Sequence, residues 1–288
     1  MRLLFLHLSD AHFKDDTFYS EKTINAQVQA LNSIGDFDKC FIMFSGDLAF
    51  SGQINEYKKV SSYMGKLWKK ICDKFDKHGN VYTLVVPGNH DINFNGENRD
   101  RTSIKSMIND GEIDEKIEAE LENFNNFYDY ASKYNCFKTN KLYDCRIYDC
   151  NGKKIQINLI NSELFSSCND SIHDDDKGLH YLPSNVWEKL SRKKDVDLVI
   201  TMSHRGPEWF DWTASQAFKK HLLGNADVFL YGHEHFDAVE NLCQKDNFLV
   251  KSIAQGMDFS QKNISYTTIL VDFDSNQIST KMFEWNKD

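Results

Sequence analysis

The 288-residue chain is long enough to bury the core of one large α/β domain. Its 41% hydrophobic and 27% charged residues are typical of a soluble globular protein, and its net charge of −9 argues against non-specific binding to a nucleic-acid backbone, which requires a basic face. Seven cysteines without metal-binding spacing predict reduced thiols in a cytoplasmic protein, and no apolar run approaches the roughly 20 residues of a membrane span.

The first half of the chain alternates between predicted strands and helices. Continuous apolar runs predict three buried strands, and apolar residues at helical spacing predict a helix after each of the first two. The predicted strands are residues 2–9, 40–44 and 81–86, and the predicted helices are residues 21–34 and 55–76. This alternation indicates a parallel sheet built from right-handed crossovers.

Residues 93–143 depart from this alternation. A polar stretch is followed by apolar residues at helical spacing whose outer face is acidic, so we interpret the segment as a helical insertion over or beside the functional site. The Asn151-Gly152 pair that comes next predicts a β-hairpin between residues 145–149 and 153–161.

The second half adds two more buried strands, residues 197–202 and 227–230, and ends in β-rich sequence. Residues 248–253, 265–273 and 277–285 follow without a helix between them, and we expect them to form a meander that completes a second sheet. No linker or repeat interrupts the sequence, so residues 1–288 are predicted to form one domain.

Polar motifs follow five of the predicted strands. A single histidine beside an apolar strand is usually a packed core residue, but five such strand ends in one chain are hard to ascribe to chance. The motifs are Asp10-x-His12, Gly46-Asp47, Gly88-Asn89-His90-Asp91, Ser203-His204 and Gly232-His233-x-His235. Because ligands of open α/β sheets bind outside the carboxyl ends of the strands, we expect these side chains to share one edge.

The side chains of these motifs offer both oxygen and nitrogen atoms. This mixture suits Mn, Fe, Zn or Ni and is too rich in nitrogen for a Mg or Ca site. Seven candidate ligands are too many for one ion and suit two ions that share a carboxylate. Two ions about 3.5–4 Å apart bind the attacking and leaving oxygens of a phosphoryl group and generate hydroxide at neutral pH. We therefore expect two divalent transition-metal ions, with Mn as the first choice.

The order of the motifs resembles that of the calcineurin-like metallophosphoesterases, whose signature is D-x-H, G-D, G-N-H-[DE], H and G-H-x-H. The resemblance extends from Asp10 to His235 and includes every ligand position of the signature. It implies a four-layer αββα sandwich, in which helices flank two mixed β-sheets.

The resemblance also implies a role for each motif residue. The implied metal ligands are Asp10, His12 and His235 for one ion, Asn89, His204 and His233 for the other, and Asp47 as the bridge between them. His90 resembles a histidine that is not a ligand and that stabilises the transition state or protonates the leaving oxygen. Asp91 resembles the acid that orients this histidine.

Two departures from the pattern bear on the subclass. The Ser/Thr protein phosphatases of this superfamily carry Asp-Arg-Gly after the G-D motif and have GNHE, whereas here Leu48-Ala49-Phe50 follows Asp47 and Asp91 replaces the Glu. These differences favour the phosphodiesterase-type or nucleotide-hydrolysing branches. Arg205, directly after a candidate ligand, is a candidate contact for substrate phosphate, with a structural salt bridge as the alternative. His180 is the second candidate contact.

The sequence thus predicts a dinuclear metal-dependent phosphodiesterase that acts on a phosphorylated small molecule, a nucleotide or a nucleic acid. Cyclic nucleotides, nucleotide diphosphate compounds and nucleic-acid ends are candidate substrates. The alternatives are a phosphomonoesterase, a non-enzymatic scaffold, and a catalytic module that works with a further domain or partner subunit. Aromatic residues in predicted loops are candidate contacts for a base or a partner, and these are Phe50, Trp209, Phe210 and Trp212.

Overall fold

Two mixed β-sheets face each other, and helices cover their outer surfaces. The computed structural model describes residues 1–93, 116–166, 177–235, 238–244, 247–254, 256–260 and 263–286. The strands are β1 (Arg2–Leu8), β2 (Lys39–Phe44), β3 (Val81–Val85), β4 (Tyr143–Cys150), β5 (Lys153–Ile160), β6 (Leu198–Met202), β7 (Val228–Tyr231), β8 (Ala238–Gln244), β9 (Asn247–Ile253), β10 (Asn263–Asp272) and β11 (Gln277–Asn286). The α-helices are α1 (Glu21–Ala30), α2 (Ile54–Phe75), α3 (Ile117–Glu122), α4 (Asn125–Ala131), α5 (Asn185–Leu190) and α6 (Trp212–Asn225).

The first sheet contains the parallel strands that the apolar runs predict. Its order is β11-β10-β1-β2-β3, with β1, β2 and β3 parallel and the β10–β11 hairpin antiparallel to β1. The in-register pair Leu6 and Ile42 illustrates the β1–β2 alignment. Because the three parallel strands end at the same edge, the polar residues that follow them are brought together.

The second sheet has the order β4-β5-β6-β7-β9-β8, in which β5, β6, β7 and β9 are parallel. The predicted C-terminal meander is therefore wrong. Of the three strands predicted to form it, only β9 belongs to the second sheet, where it pairs with β7 and β8. Strands β10 and β11 complete the first sheet instead. An apolar strand pattern does not specify which sheet the strand joins, since both sheets bury the same kind of face.

Helices α1 and α2 pack against the first sheet, and α5 and α6 pack against the second. The buried side chains of Ile24 in α1 and Val60 in α2 belong to the same hydrophobic cluster as strands β1 to β3. Phe218 of α6 packs edge-to-face on Phe229 of β7, with ring centroids 5.5 Å apart. The four layers are helices, sheet, sheet and helices, so the predicted fold class is confirmed.

Apolar and polar contacts both join the two sheets. Phe41 of β2 lies edge-to-face with Tyr148 of β4, with ring centroids 5.3 Å apart. His7 of β1 is completely buried, and its ring nitrogens lie 3.0 Å from Oγ of Ser252 in β9 and 2.9 Å from Oγ of Ser45. Burial lowers the pKa of His7 to about 3, so this core histidine is neutral.

Part of the predicted helical insertion is described. Helices α3 and α4 lie within it, and Tyr130 of α4 stacks on Tyr57 of α2 with ring centroids 5.3 Å apart. Residues 94–115, which include much of the acidic face, lie outside the described residues. The insertion of residues 93–143 as a unit of the single domain therefore stays a prediction.

Helices α5 and α6 were not predicted from the sequence. The buried face of α6 includes Ser215 and His221 beside Phe218 and Leu222, so its apolar stripe is interrupted. Among the cysteines whose side chains are described, all are free thiols, as predicted, and these are Cys40, Cys72, Cys136, Cys145 and Cys150. None of the helices in the described segments has the length and apolar character needed to cross a bilayer.

Candidate metal centre

The five strand-end motifs meet at one edge of the two sheets. Their backbones turn sharply directly after the strands, because five non-glycine residues adopt left-handed conformations that such residues rarely take. These residues are Asp10 (φ 50°), His12 (φ 46°), Asp47 (φ 55°), His233 (φ 69°) and His235 (φ 52°). The turns point the side chains from both sheets towards a common centre.

Asp10, His12 and His235 form the first group of potential metal ligands. Donor atoms from these three side chains all lie within 4.8 Å of one another. The Asp10 carboxylate is completely buried, whereas His235 is 56% exposed, so the group opens to solvent on one side. The rings of His12 and His235 stack with centroids 5.6 Å apart.

Asp47 lies between this group and a second one. Its Oδ2 atom is 3.8 Å from Nε2 of His12 and 3.4 Å from Nε2 of His204. Its Oδ1 atom accepts a hydrogen bond of 2.8 Å from the backbone N–H of His90. One carboxylate thus contacts ligand candidates from both sheets, which is the position expected of a shared ligand.

His204 and Asn89 form the second group together with Asp47. Nε2 of His204 donates a 3.2 Å hydrogen bond to Oδ1 of Asn89, and Nδ1 donates a 2.8 Å hydrogen bond to the carbonyl of Ser45. The carbonyl fixes the orientation of the ring and directs Nε2 to the centre, because metal-binding histidines are commonly oriented by an acceptor on the other ring nitrogen.

His233 contacts Arg205 through one ring nitrogen, while its Nδ1 atom is buried without a hydrogen-bond partner among the described residues and its ring centroid lies 5.2 Å from that of His204. Its backbone N–H donates to the carboxylate of Asp10 at 3.2 and 3.3 Å, but its Nε2 atom accepts a 2.8 Å hydrogen bond from Nη1 of Arg205. Among the described residues, His233 belongs to none of the three-residue groups of close donor atoms.

Two glycines allow this crowding. A Cβ atom on Gly88 would lie 2.1 Å from Oδ1 of Asp47, and one on Gly232 would lie 1.9 Å from Oγ of Ser9 and 2.5 Å from Oδ2 of Asp10. These glycines are required for space, because a methyl group would overlap the candidate ligands.

The buried charges strongly perturb one another. Burial alone would raise the pKa of Asp47, but the imidazoles of His204, His90 and His12 hold it well below its usual value. Burial opposes a charge on His204, yet the carboxylates, that of Asp47 above all, raise its pKa to about 10. Burial lowers the pKa of His12 despite these carboxylates. Such shifts cluster at functional sites.

His90 lies beside the first group, and the Asp91 carboxylate, which was predicted to orient it, contacts other groups. The His90 ring is edge-on to His12 with centroids 4.5 Å apart, and its Nδ1 donates a 2.7 Å hydrogen bond to the carbonyl of Phe50. The Asp91 carboxylate instead accepts hydrogen bonds from the backbone N–H groups of Leu48, Ala49 and Gly88 and from the Tyr57 hydroxyl. It therefore fixes the two loops that carry Asp47 and Asn89.

Burial and the nearby charge of Asp47 raise the pKa of Asp91 to about 7. The backbone donors that favour its ionised form only partly offset this rise. The Asp91 carboxylate thus supports the backbone of the site.

The two predicted substrate contacts are both buried. Arg205 is 2% exposed, and its Nε lies 2.9 Å from Oε2 of the completely buried Glu163, so the salt-bridge alternative is the one found. His180 is completely buried, donates from Nδ1 to the carbonyl of Ser162 at 2.9 Å, and packs near Phe210. In this arrangement neither side chain reaches the solvent from which a substrate would enter.

The sequence analysis did not identify several groups that position the candidate ligands. Ser162 accepts hydrogen bonds from the backbone N–H groups of His204 and Arg205, and its hydroxyl donates to Glu163 at 2.6 Å. These two residues directly follow β5, as the recognised motifs follow their strands, so the same signal could have identified them. The carbonyls of Ser45 and Phe50 carry no sequence signal, because any residue supplies that group.

The donor set fits two divalent transition-metal ions. Buried carboxylates of Asp10 and Asp47 would be costly without a cation to compensate them. Nδ1 of His12 is buried without a hydrogen-bond partner in the described part of the chain, although Nε2 faces Asp47. Both ring nitrogens of His204 donate hydrogen bonds, and a metal ion bound at Nε2 would replace the proton on that nitrogen.

Two solved structures are distantly similar to this chain. Wild-type Vps29 of Entamoeba histolytica, crystallised with zinc, is 10% identical over 99% of both chains, with a TM-score of 0.36. Vps29 of Chaetomium thermophilum is 10% identical over 99% of this chain and 100% of its own, with a TM-score of 0.33. These values are too low to bear on the activity of this chain. No curated protein sequence gives a significant match.

The sequence signature of a protein family, by contrast, covers most of the chain. The family model described as calcineurin-like phosphoesterase matches residues 3–237. This span contains all five strand-end motifs and the whole candidate metal centre. The chain therefore belongs to the calcineurin-like phosphoesterase family.

Proposed function

We propose that this chain is a dinuclear metal-dependent phosphoesterase that hydrolyses a phosphodiester bond in a nucleotide or nucleic-acid substrate. One observation carries the proposal. The carboxylate of Asp47 lies within 4 Å of imidazoles from two ligand groups, with His90 beside them at the open edge of the sheets. Membership of the phosphoesterase family supports the hydrolase class.

We assign the ligands as the resemblance implies. Asp10, His12 and His235 would hold one ion, Asn89, His204 and His233 the other, and Asp47 both. The short distances among the first three and the contacts of Asp47 support this assignment. Mn is the first choice, with Fe, Zn and Ni as alternatives, because the ligands mix oxygen and nitrogen atoms. When bound, two such ions activate water at neutral pH and neutralise charge on the phosphoryl group.

His90 would supply the proton that the leaving oxygen needs. The Phe50 carbonyl engages Nδ1, so Nε2 is the nitrogen that would exchange a proton with the substrate. The contact between the Asp47 carboxylate and the backbone N–H of His90 ties the position of this histidine to the shared ligand.

The burial of Arg205 favours a diester over a monoester. A phosphomonoester dianion carries one more negative charge than a diester and usually needs an accessible cation to balance it. The Arg205 charge is compensated by Glu163 in the interior. The pairing of Arg205 with Glu163 thus supports the choice of a singly charged diester, which needs less compensation.

Hydrolysis of bis-p-nitrophenyl phosphate and of p-nitrophenyl phosphate, with Mn²⁺ and with chelator, tests the proposal. We expect chelator-sensitive cleavage that favours the diester, and Asp47→Asn should abolish both turnover and metal loading. Preference for the monoester would move the assignment to a phosphatase. Absence of both turnover and metal binding would contradict the enzyme and favour a scaffold or a subunit of a larger assembly.

A further inference from the structure

Arg205 joins a buried carboxylate to a candidate metal ligand. Its Nε donates to Oε2 of Glu163 at 2.9 Å, and its Nη1 donates to Nε2 of His233 at 2.8 Å. The guanidinium carbon lies 4.3 Å from the centroid of the Trp209 ring, which covers one face. Arg205 and Glu163 are 2% and 0% exposed. The guanidinium is thus held firmly with one N–H group aimed at His233.

The contact with Arg205 takes up the only lone pair of the neutral His233 ring, and the other ring nitrogen, Nδ1, is buried without a hydrogen-bond partner among the described residues. A guanidinium group can only donate hydrogen bonds, so the ring nitrogen must accept through its lone pair. A neutral imidazole has one such lone pair, since its other ring nitrogen carries the hydrogen. A hydrogen bond from Arg205 and coordination of a metal by His233 therefore exclude each other.

The positive charge of Arg205 also disfavours a metal ion at His233. A guanidinium 2.8 Å from the ring nitrogen disfavours a divalent cation at that ring, because like charges repel strongly away from bulk water. Glu163 offsets this repulsion, since its buried carboxylate pairs with the guanidinium. In the described part of the chain, neither His12 nor His235 accepts a hydrogen bond from a cationic side chain.

We infer that Arg205 competes with the second metal ion for His233, so that the two metal positions fill unequally and the Glu163–Arg205 pair sets the affinity of the second. The inference rests on the ligand assignment of the proposed function. The first position, with Asp10, His12 and His235, would load at lower metal concentration. The second would load only when the ion displaces the guanidinium from His233.

Calorimetric titration of the chelator-treated protein with Mn²⁺ tests this inference without any measurement of turnover. The wild-type chain should bind two ions with distinct affinities. Arg205→Met should tighten the weaker event by about tenfold or more, an effect of the size typical for residues behind metal ligands. Glu163→Gln should weaken the same event, because it removes the buried negative charge that pairs with the guanidinium.

The opposite effects of Arg205→Met and Glu163→Gln on metal affinity distinguish competition for His233 from a purely structural role of the pair. If the pair only held His233 in place, both substitutions would weaken the second position. Weaker or unchanged binding by Arg205→Met would therefore overturn the inference. Arg192→Met, which breaks a separate pair with Asp227 of 2.6 Å, is the matched control and should leave both events unchanged.

Two further variants keep the result interpretable. If Arg205→Met does not fold, the double variant Glu163→Gln/Arg205→Met should bind the second ion more tightly than Glu163→Gln alone, and failure to do so would contradict the inference. His233→Ala should abolish the weaker event. Retention of both events in that variant would instead show that the ligand assignment, and with it this part of the proposed function, is wrong.

Discussion

The carbonyl oxygen of Phe50 lies 2.7 Å from Nδ1 of His90, so a backbone group holds this nitrogen of the imidazole. This backbone group is part of the loop after β2, which also carries Asp47. The position of His90 relative to the shared ligand is thereby fixed by the backbone.

We expect His90→Ala to retain both metal ions while its turnover falls by about 10²–10⁴, the usual range for loss of a general acid. The backbone N–H that contacts Asp47 survives the substitution, so the ligand should keep its position. Metal content and single-turnover rates measure the two effects separately. His78→Ala, at an exposed position, should change neither. Loss of metal from the His90 variant would show that His90 is a ligand.

Gly88→Ala should weaken metal binding without any change in a ligand. The added methyl group would overlap Oδ1 of Asp47 at 2.1 Å, and both are buried, so the carboxylate must move. Gly65→Ala is the control, because nothing lies within 4 Å of its added Cβ and alanine stabilises a helix interior by about 0.5–1 kcal/mol relative to glycine. Titration with Mn²⁺ and urea unfolding compare the variants. Equal metal affinity in both would contradict the proposed crowding.

Tyr57→Phe should cost about 1 kcal/mol in the free energy of unfolding, because Asp91 loses one of its hydrogen bonds. Asp91→Ala should cost several times more, since it leaves the buried N–H groups of Leu48, Ala49 and Gly88 without their acceptor. Urea unfolding in chelator measures both. Tyr19→Phe, which removes an exposed hydrogen bond to Ser62, should have little effect. Similar losses for the two Asp91-related variants would argue against the loop-fixing role.

His221 should make the protein less stable in mild acid. Burial lowers its pKa to about 4, and its Nε2 has no hydrogen-bond partner among the described residues. The unfolded chain therefore binds a proton more tightly than the folded one. The contribution of neutral His221 to the free energy of unfolding is fully present above pH 6.5. It is lost progressively as the pH falls towards 4, by roughly 3 kcal/mol.

His221→Leu should flatten this pH dependence, because leucine fills the buried site beside Trp187 without a titrating group. Unfolding in urea between pH 7 and pH 4, with chelator to exclude metal effects, measures it. The exposed His78→Gln serves as the comparison. An unchanged slope in the leucine variant would show that other groups cause the acid sensitivity.

The sequence predicted the parts of the site that depend on strand ends. Apolar runs located the parallel strands, and the residues after them, such as Asp10 and His204, converge as the topology of a parallel sheet requires. Motif spacing did not indicate the hydrogen-bond partners of Asp91, Arg205 and His180, because these partners depend on side-chain directions that the spacing does not contain. The sequence analysis also misplaced β10, whose apolar pattern suits either sheet.

The ligand candidates come from both ends of the chain, and His233 lies 223 residues after Asp10. A nascent chain on the ribosome exposes Asp10, Asp47 and Asn89 long before the strands that precede His204 and His233 exist. The second predicted ligand set is incomplete until residue 233 has emerged, and the first until residue 235 has emerged. Full metal loading would thus require most of the chain, and it would report that the two sheets have met.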